Sequence, residues 1–159
     1  MSRLGHARVL ALVVLIVAAW MPSAWQGMAD EPARIELVVV ETTTGAHSFQ
    51  TEIADTPHLR ERGLMFRHRL ADDRAMLFDW GQVRVATMWM RNTYIPLDMV
   101  FISSSGRVES IAENTEPHSL KIISSQIPVA AVLEVTAGTA KRIGLKPGDK
   151  VVHKMFKAE

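Results

Sequence analysis

Met88-Trp89-Met90-Arg91-Asn92-Thr93-Tyr94-Ile95-Pro96-Leu97-Asp98-Met99-Val100-Phe101-Ile102 is the stretch that decides the fold. It reads as a strand, a turn carrying Asn92, Thr93 and Pro96, and a second strand. Successive strand residues point to opposite faces. Leu97, Met99 and Phe101 therefore share one face, and Asp98, Val100 and Ile102 share the other. Both faces are apolar, so this strand is expected inside a sheet that is covered on both sides. Asp98 is the exception. A carboxylate in such a place must be paired, hydrogen-bonded or protonated.

Residues 129–136 repeat the pattern: Ala131, Leu133 and Val135 form one face, Val132 and Glu134 the other. Two carboxylates thus sit at the margins of apolar strands. Elsewhere the signals are short and mostly strand-like. Residues 34–43 are rich in Ile, Leu and Val and end at the turn Thr44-Gly45. Phe49, Thr51 and Ile53 alternate with polar neighbours, so the two segments are expected to pair as a hairpin. Thr56-Pro57 opens a helix as cap and first residue, and Gly63 stops it. Met76-Leu77-Phe78 is expected as a short strand followed by a turn at residues 79–82. The turn at residues 103–106 closes a second hairpin with a return strand at 107–113. Residues 114–126 have no period and are expected as a long loop. Thr139 is the expected cap of a second helix ended by Gly144, and residues 150–155 the last strand. Many short strands with two short helices make a mainly β, single small domain, of sandwich, jelly-roll or barrel-like kind.

The chain begins with an address. Arg3 and Arg8 precede an unbroken apolar run over residues 9–20, followed by Pro22, Ser23 and a small-x-small pattern, Gly27-Met28-Ala29. A bilayer span needs about 20 apolar residues, so residues 1–29 are expected to be a cleaved signal peptide. No cysteine is present to carry a lipid anchor. Residues 30–159 are then one exported domain, periplasmic or secreted, meeting the membrane only through its leader. Of the 18 Lys and Arg, two lie in the leader, leaving 16 against 17 Asp and Glu; the net charge of +1 becomes −1. That balance gives no reason to expect nucleic acid. With no Cys, thiolate metal sites and thiol catalysis are excluded.

Arginines are the partners on offer for the acids: Arg60, Arg62, Arg67, Arg69 and Arg74 cluster, and Arg91 lies beside Asp98. A guanidinium holds a carboxylate with two parallel hydrogen bonds. Asp98 is accordingly read either as a structural lock neutralised by Arg62 or Arg91, or as part of a pocket with Arg62, Trp89 and Asn92. An amide, an indole, a guanidinium and a carboxylate suit a polar ring or an anionic group. Trp80, Trp89 and Tyr94 could stack on a sugar. Met88 and Met90 with His118 could hold Cu(I), but Met at such spacing is more often packing. No cofactor or metal is expected, and no nucleophile elbow or phosphate loop exists.

These motifs resemble the family known as domain of unknown function 192. The matching pieces are Glu61-Arg62-x-Gly-Leu-Met65, Met76-Leu-Phe78, Met88-Trp-Met-x-Asn-Thr-x-Ile-Pro-Leu-Asp-Met99, Val132-Leu-Glu134, Ala137-Gly138 and Pro147-Gly-Asp149. They span about residues 34–156. The resemblance implies a small β-rich domain, often exported, and no activity. Family members can carry cysteines in the region 113–126, where this chain has none. Arg62, Asn92, Asp98 and Glu134 carry over as motif positions. Together with Trp89 they are the candidate ligand-binding residues, and no catalytic residue is assigned. The reading that follows is a non-catalytic envelope module for a small polar or anionic ligand, a glycan among the candidates. The alternatives are a hydrolase using Asp98 or Glu134 as acid or base, and a periplasmic assembly factor.

Cleavage after Ala29 makes a definite prediction. The protein recovered from the envelope should begin at Asp30, and its intact mass should lack residues 1–29; a mature chain starting at Met1 would refute it.

Overall fold

The computed structural model describes residues 32–156. Within them the order is β1 (Arg34–Thr42), β2 (Gly45–Ala54), α1 (Pro57–Arg62), β3 (Arg74–Met88), β4 (Leu97–Ile102), β5 (Val108–Ala112), β6 (Ile123–Thr136), α2 (Thr139–Ile143) and β7 (Lys150–Val152). The seven strands form one sheet in the order β5-β4-β6-β3-β2-β1-β7. Neighbours are antiparallel throughout, save β2 and β3, which run parallel. A parallel pair needs a crossover, and α1 lies in it.

The sheet curls into a half-barrel until its first and last strands touch. Arg107 bridges Lys150. Val151 N–H donates to the Gly106 carbonyl at 2.7 Å, and Val108 N–H to the Asp149 carbonyl at 2.9 Å. Gly106 makes the seam possible. Its φ is +82°, and a Cβ there would stand 2.4 Å from the Val151 carbonyl oxygen.

Both faces of the sheet carry a core. On one, Val38, Phe49, Leu77, Val100, Ile102 and Leu133 pack under Ala140 and Ile143 of α2. On the other, Met76, Phe78, Met99, Phe101 and Val132 pack under Leu64 and the segment from Met88 to Leu97. β4 is buried along its whole length, with β5 on one side and β6 on the other. Its odd residues enter the second core and its even residues the first, as the alternation requires.

Local chemistry sets the helix ends. The Thr56 hydroxyl accepts the Leu59 N–H at 3.2 Å, and Gly63 N–H returns to the Leu59 carbonyl at 2.8 Å. At α2 the cap is Gly138, with φ +84° and no side-chain cap bond, rather than the expected Thr139. Two strands run longer than expected. β3 does not stop at residues 79–82. Asp79 pairs with Ala131 and Arg84 with Val129, so the extra residues are extruded as a bulge and pairing resumes. The turn chemistry is nonetheless present: the Asp79 carboxylate accepts the Gly81 N–H at 2.7 Å. β6 begins at Ile123 rather than Val129. The Ser125 hydroxyl there accepts the Ala86 N–H at 3.0 Å and donates to the Ile127 carbonyl at 2.6 Å, standing in for ladder bonds. The last strand is shorter, ending at Val152, and Trp89 and Met90 lie past the end of β3.

Asp98 is fully buried on the first face. Its partners are backbone amides, not the expected guanidinium of Arg62 or Arg91. Oδ1 accepts the Asn114 N–H at 2.8 Å and Oδ2 the Ala140 N–H at 2.9 Å. One carboxylate thus ties β4 to the loop after β5 and to the first turn of α2. Arg91 is elsewhere, stacked 5.0 Å over the Trp89 ring. Truncation of Asp98 to Ala orphans the buried Ala140 N–H at about 1–3 kcal/mol and removes a half-buried bond to Asn114 at about 0.5–1.5 kcal/mol, so Asp98→Ala should lose about 1.5–4.5 kcal/mol in urea unfolding. A loss below about 1 kcal/mol would show that the lock is not structural.

Candidate functional site

The other acid meets a different environment. Glu134 of β6 lies opposite Met99 of β4 and Met76 of β3. It points to the second face, away from Asp98. Its surroundings are thioethers and rings, and only 4% of it is exposed. Among the described residues no hydrogen bond or ion pair holds its carboxyl. It faces instead a cavity of about 200 Å³, whose wall it shares with Arg62, Met65, Trp80, Met88 and Trp89. Burial in this apolar setting pushes its pKa up to about 8. At neutral pH the neutral acid predominates, so the group is a hydrogen-bond donor as well as an acceptor.

Besides Glu134 of β6, three chain segments build the wall. α1 and its turn bring Arg60, Glu61, Arg62 and Met65; β3 brings Phe78, Trp80, Thr87 and Met88; the segment after it brings Trp89 and Thr93. Arg60 Nη1 donates to the Asp55 carbonyl and, at 2.7 Å, to the Asp79 carbonyl, pinning α1 to the bulge of β3. The bulge in turn carries Trp80, which stacks on Phe78 with ring centroids 6.4 Å apart and has the Arg84 guanidinium 5.9 Å away. Trp89 is 43% exposed at the rim under Arg91. Arg67 holds the turn after α1 to β2 through a bidentate pair with Glu52, at 2.6 and 2.7 Å.

Of the five candidate residues, the structure gathers Arg62, Trp89 and Glu134 around the cavity. Asn92 stands behind its wall. With φ +56° it is a left-handed turn residue; its carbonyl accepts the Phe66 N–H at 2.8 Å and joins two of the wall segments. Asp98 is on the opposite face with both oxygens engaged, so it can be neither a pocket residue nor the acid or base of a hydrolase. Tyr94, offered as a sugar platform, has its ring packed between His68 at 4.9 Å and His118 at 5.1 Å. Of the residues weighed for copper, Met90 is fully buried and its Sδ accepts the Thr115 hydroxyl at 3.1 Å. Sequence reasoning missed Met65 as a wall residue and did not join Met88, raised for copper, or Trp80, raised as a sugar platform, to Glu134. The segment of Trp80 was read as a turn, and the register that puts Met76 opposite Glu134 leaves no trace in periodicity.

The raised pKa has a sign that can be checked. The ordinary value for Glu is 4.5 and the folded value about 8, so between these the native state holds a proton that the unfolded chain has released. This contribution makes stability fall as pH rises through that window, and the penalty is complete above pH 8. Glu134→Gln removes the titration. Its unfolding free energy relative to the unsubstituted protein should therefore climb between pH 5 and pH 9, by on the order of 4 kcal/mol. A difference that stays flat across that range would mean that Glu134 is not held neutral.

Comparison with known proteins agrees with this architecture. The family DUF192, described as "Uncharacterized ACR", matches residues 38–153. No curated protein matches the chain. A crystal structure from Sinorhizobium meliloti 1021, of a protein provisionally described as a transcription regulator, is 46% identical. The match covers 80% of this chain and 100% of that one, with a TM-score of 0.77. A protein of unknown function from Novosphingobium aromaticivorans DSM 12444 is 42% identical over 79% of this chain and 94% of its own, with a TM-score of 0.74. With most of its length matched by the family and by relatives above 40% identity, this chain belongs to the uncharacterised DUF192 family.

Proposed function

We propose that this domain is a non-catalytic binding module, exported to the envelope, that holds a small polar or anionic ligand at Glu134. The observation that carries the reading is a nearly buried carboxyl that, among the described residues, has no protein partner and meets solvent only at the wall of a cavity. Burying such a group costs stability, and folds keep such costs chiefly where a site needs them. Trp89 and Trp80 supply faces for a flat or ring-shaped body, and Arg62 lies on the same wall. Export rests on the leader at residues 1–29, which lies outside the described residues. Transcription is said of the Sinorhizobium protein; the near-neutral charge of residues 30–159 lends that activity no support here.

A hydrolase reading draws on the same acid. A carboxyl kept protonated at neutral pH is what a general acid requires, and Glu61 is the second carboxyl on the wall. It asks for turnover of a glycoside or ester by the native protein, abolished in Glu134→Gln with the fold retained.

A thermal-shift screen against neutral sugars, acidic oligosaccharides and small carboxylates tests the binding reading. A ligand at a hundred times its Kd should stabilise the protein by about 2.7 kcal/mol. The shift should vanish in Trp89→Ala and weaken in Glu134→Gln, while both variants unfold cooperatively. If none of these compounds raises the midpoint of the native protein, the reading fails.

A further inference from the structure

The wall of the cavity says more about the ligand than that it is polar. We propose that the pocket selects a small monocarboxylate with a single apolar ring or a body of that size, whose carboxylate accepts the proton of Glu134 while thioethers and indoles cover the body. The inference rests on the reading of this cavity as a binding site and names the chemical class that it takes.

Three features of the cavity support it. The first is size. A cavity near 150 Å³ holds one benzene ring, so about 200 Å³ seats a ring with one small substituent, and anything larger extends through the open side into solvent. The second is chemistry. Beneath the rim, Met65, Met88, Phe78 and Trp80 offer carbon and sulfur, and Glu134 is the acid among them. A ligand that brings one polar group and an apolar remainder satisfies that acid and leaves no polar group of its own stranded. The third is charge. The charged groups on the wall are Arg60, Glu61 and Arg62, all from α1 and its end. β3 contributes none to it, though Arg84 stands beside Trp80 and Arg91 beside Trp89. β6 brings Glu134 itself, with Met99 of β4 opposite it in the ladder. Basic groups outnumber Glu61, so the entrance favours an anion over an ammonium ion.

The geometry also sets a pH dependence. An acid and a carboxylate share one proton in a strong hydrogen bond; two carboxylates in a low-dielectric pocket repel. With the Glu134 pKa raised to about 8, occupancy by an anion should fall as that proton is lost.

Quenching of tryptophan fluorescence by benzoate, which is ionised throughout pH 6–9, provides the test on the native protein. Benzoate should bind at pH 6 and lose up to about tenfold in affinity by pH 9, the loss set by the protonated fraction of a group titrating near 8. Glu134→Gln keeps a donor and cannot ionise, so it should bind benzoate with affinities within about twofold at the two pH values. N-acetylglucosamine and benzylamine serve as the neutral-sugar and cation arms. If either binds and benzoate does not, the carboxylate class is wrong and the pocket stands. If none of the three binds, the reading of the cavity falls with it. Benzoate binding that is equal at pH 6 and pH 9 in the native protein overturns the role given to the Glu134 proton, whatever the variant does.

Discussion

The grip of the Asp98 carboxylate on two backbone amides holds the first face of the sheet together. Asn114 and Ala140 lie 42 residues or fewer from Asp98 but in different elements, and each presents an N–H that has no ladder partner. A charge in the middle of a strand buried on both sides would be intolerable without such donors. With them it becomes a three-way joint. α2 is only five residues long and makes no side-chain cap bond, so it has little stability of its own. Its place over Val100 and Leu133 depends on the bond to Ala140 and on the burial of Ala140 and Ile143. The curl that brings β5 to β7 encloses that same face.

The second acid shows what the sheet does with the opposite arrangement. Met99 pairs with Glu134 and Asp98 with Val135, so the two acids are near neighbours in the ladder that point to opposite sides. One meets backbone donors and is consumed by the architecture. The other meets Met76 and Met99 and has no donor among the described residues, so burial favours its neutral form. Two carboxyls, a few ångströms of sheet apart, are therefore assigned different work by what faces them. A reading that pairs them across one active site is excluded by the pleat alone.

Much of the fold was legible because it depends on local chemistry. The β1–β2 hairpin, Thr56 and Gly63 at the ends of α1, the Ser103–Gly106 turn and the two-sided burial of β4 follow from neighbouring residues. What was not legible depends on partners far along the chain. The Asp79-Trp80-Gly81-Gln82 segment has every mark of a turn, and the hydrogen bond from Gly81 honours it; only pairing with β6 reveals a bulge in a continuous strand. Ser124, Gln126 and Pro128 hid the first half of β6 for the same reason. At the site, Arg62, Trp89 and Glu134 were visible as motif positions. Asn92 was visible too, but its left-handed turn looks the same in sequence as a binding amide. The partners of Asp98 could not be read at all, since a backbone amide carries no residue signature.

The cavity itself follows from topology. β2 and β3 are the one parallel pair, and a parallel pair cannot be joined by a tight turn. The crossover must leave the sheet and return, and it passes over the second face. Its helix is six residues long and buries none of them, so it roofs that face without filling it. Filling falls to Leu64 behind the helix and to Met88 and Met90 on the opposing segment. Between roof and sheet a space is left directly above the one position of β6 where the apolar run is interrupted by an acid. A longer or greasier helix would close that space and strand the Glu134 carboxyl in hydrocarbon. The shortness of α1 and the partial exposure of Glu134 to a cavity are therefore one consequence of the topology.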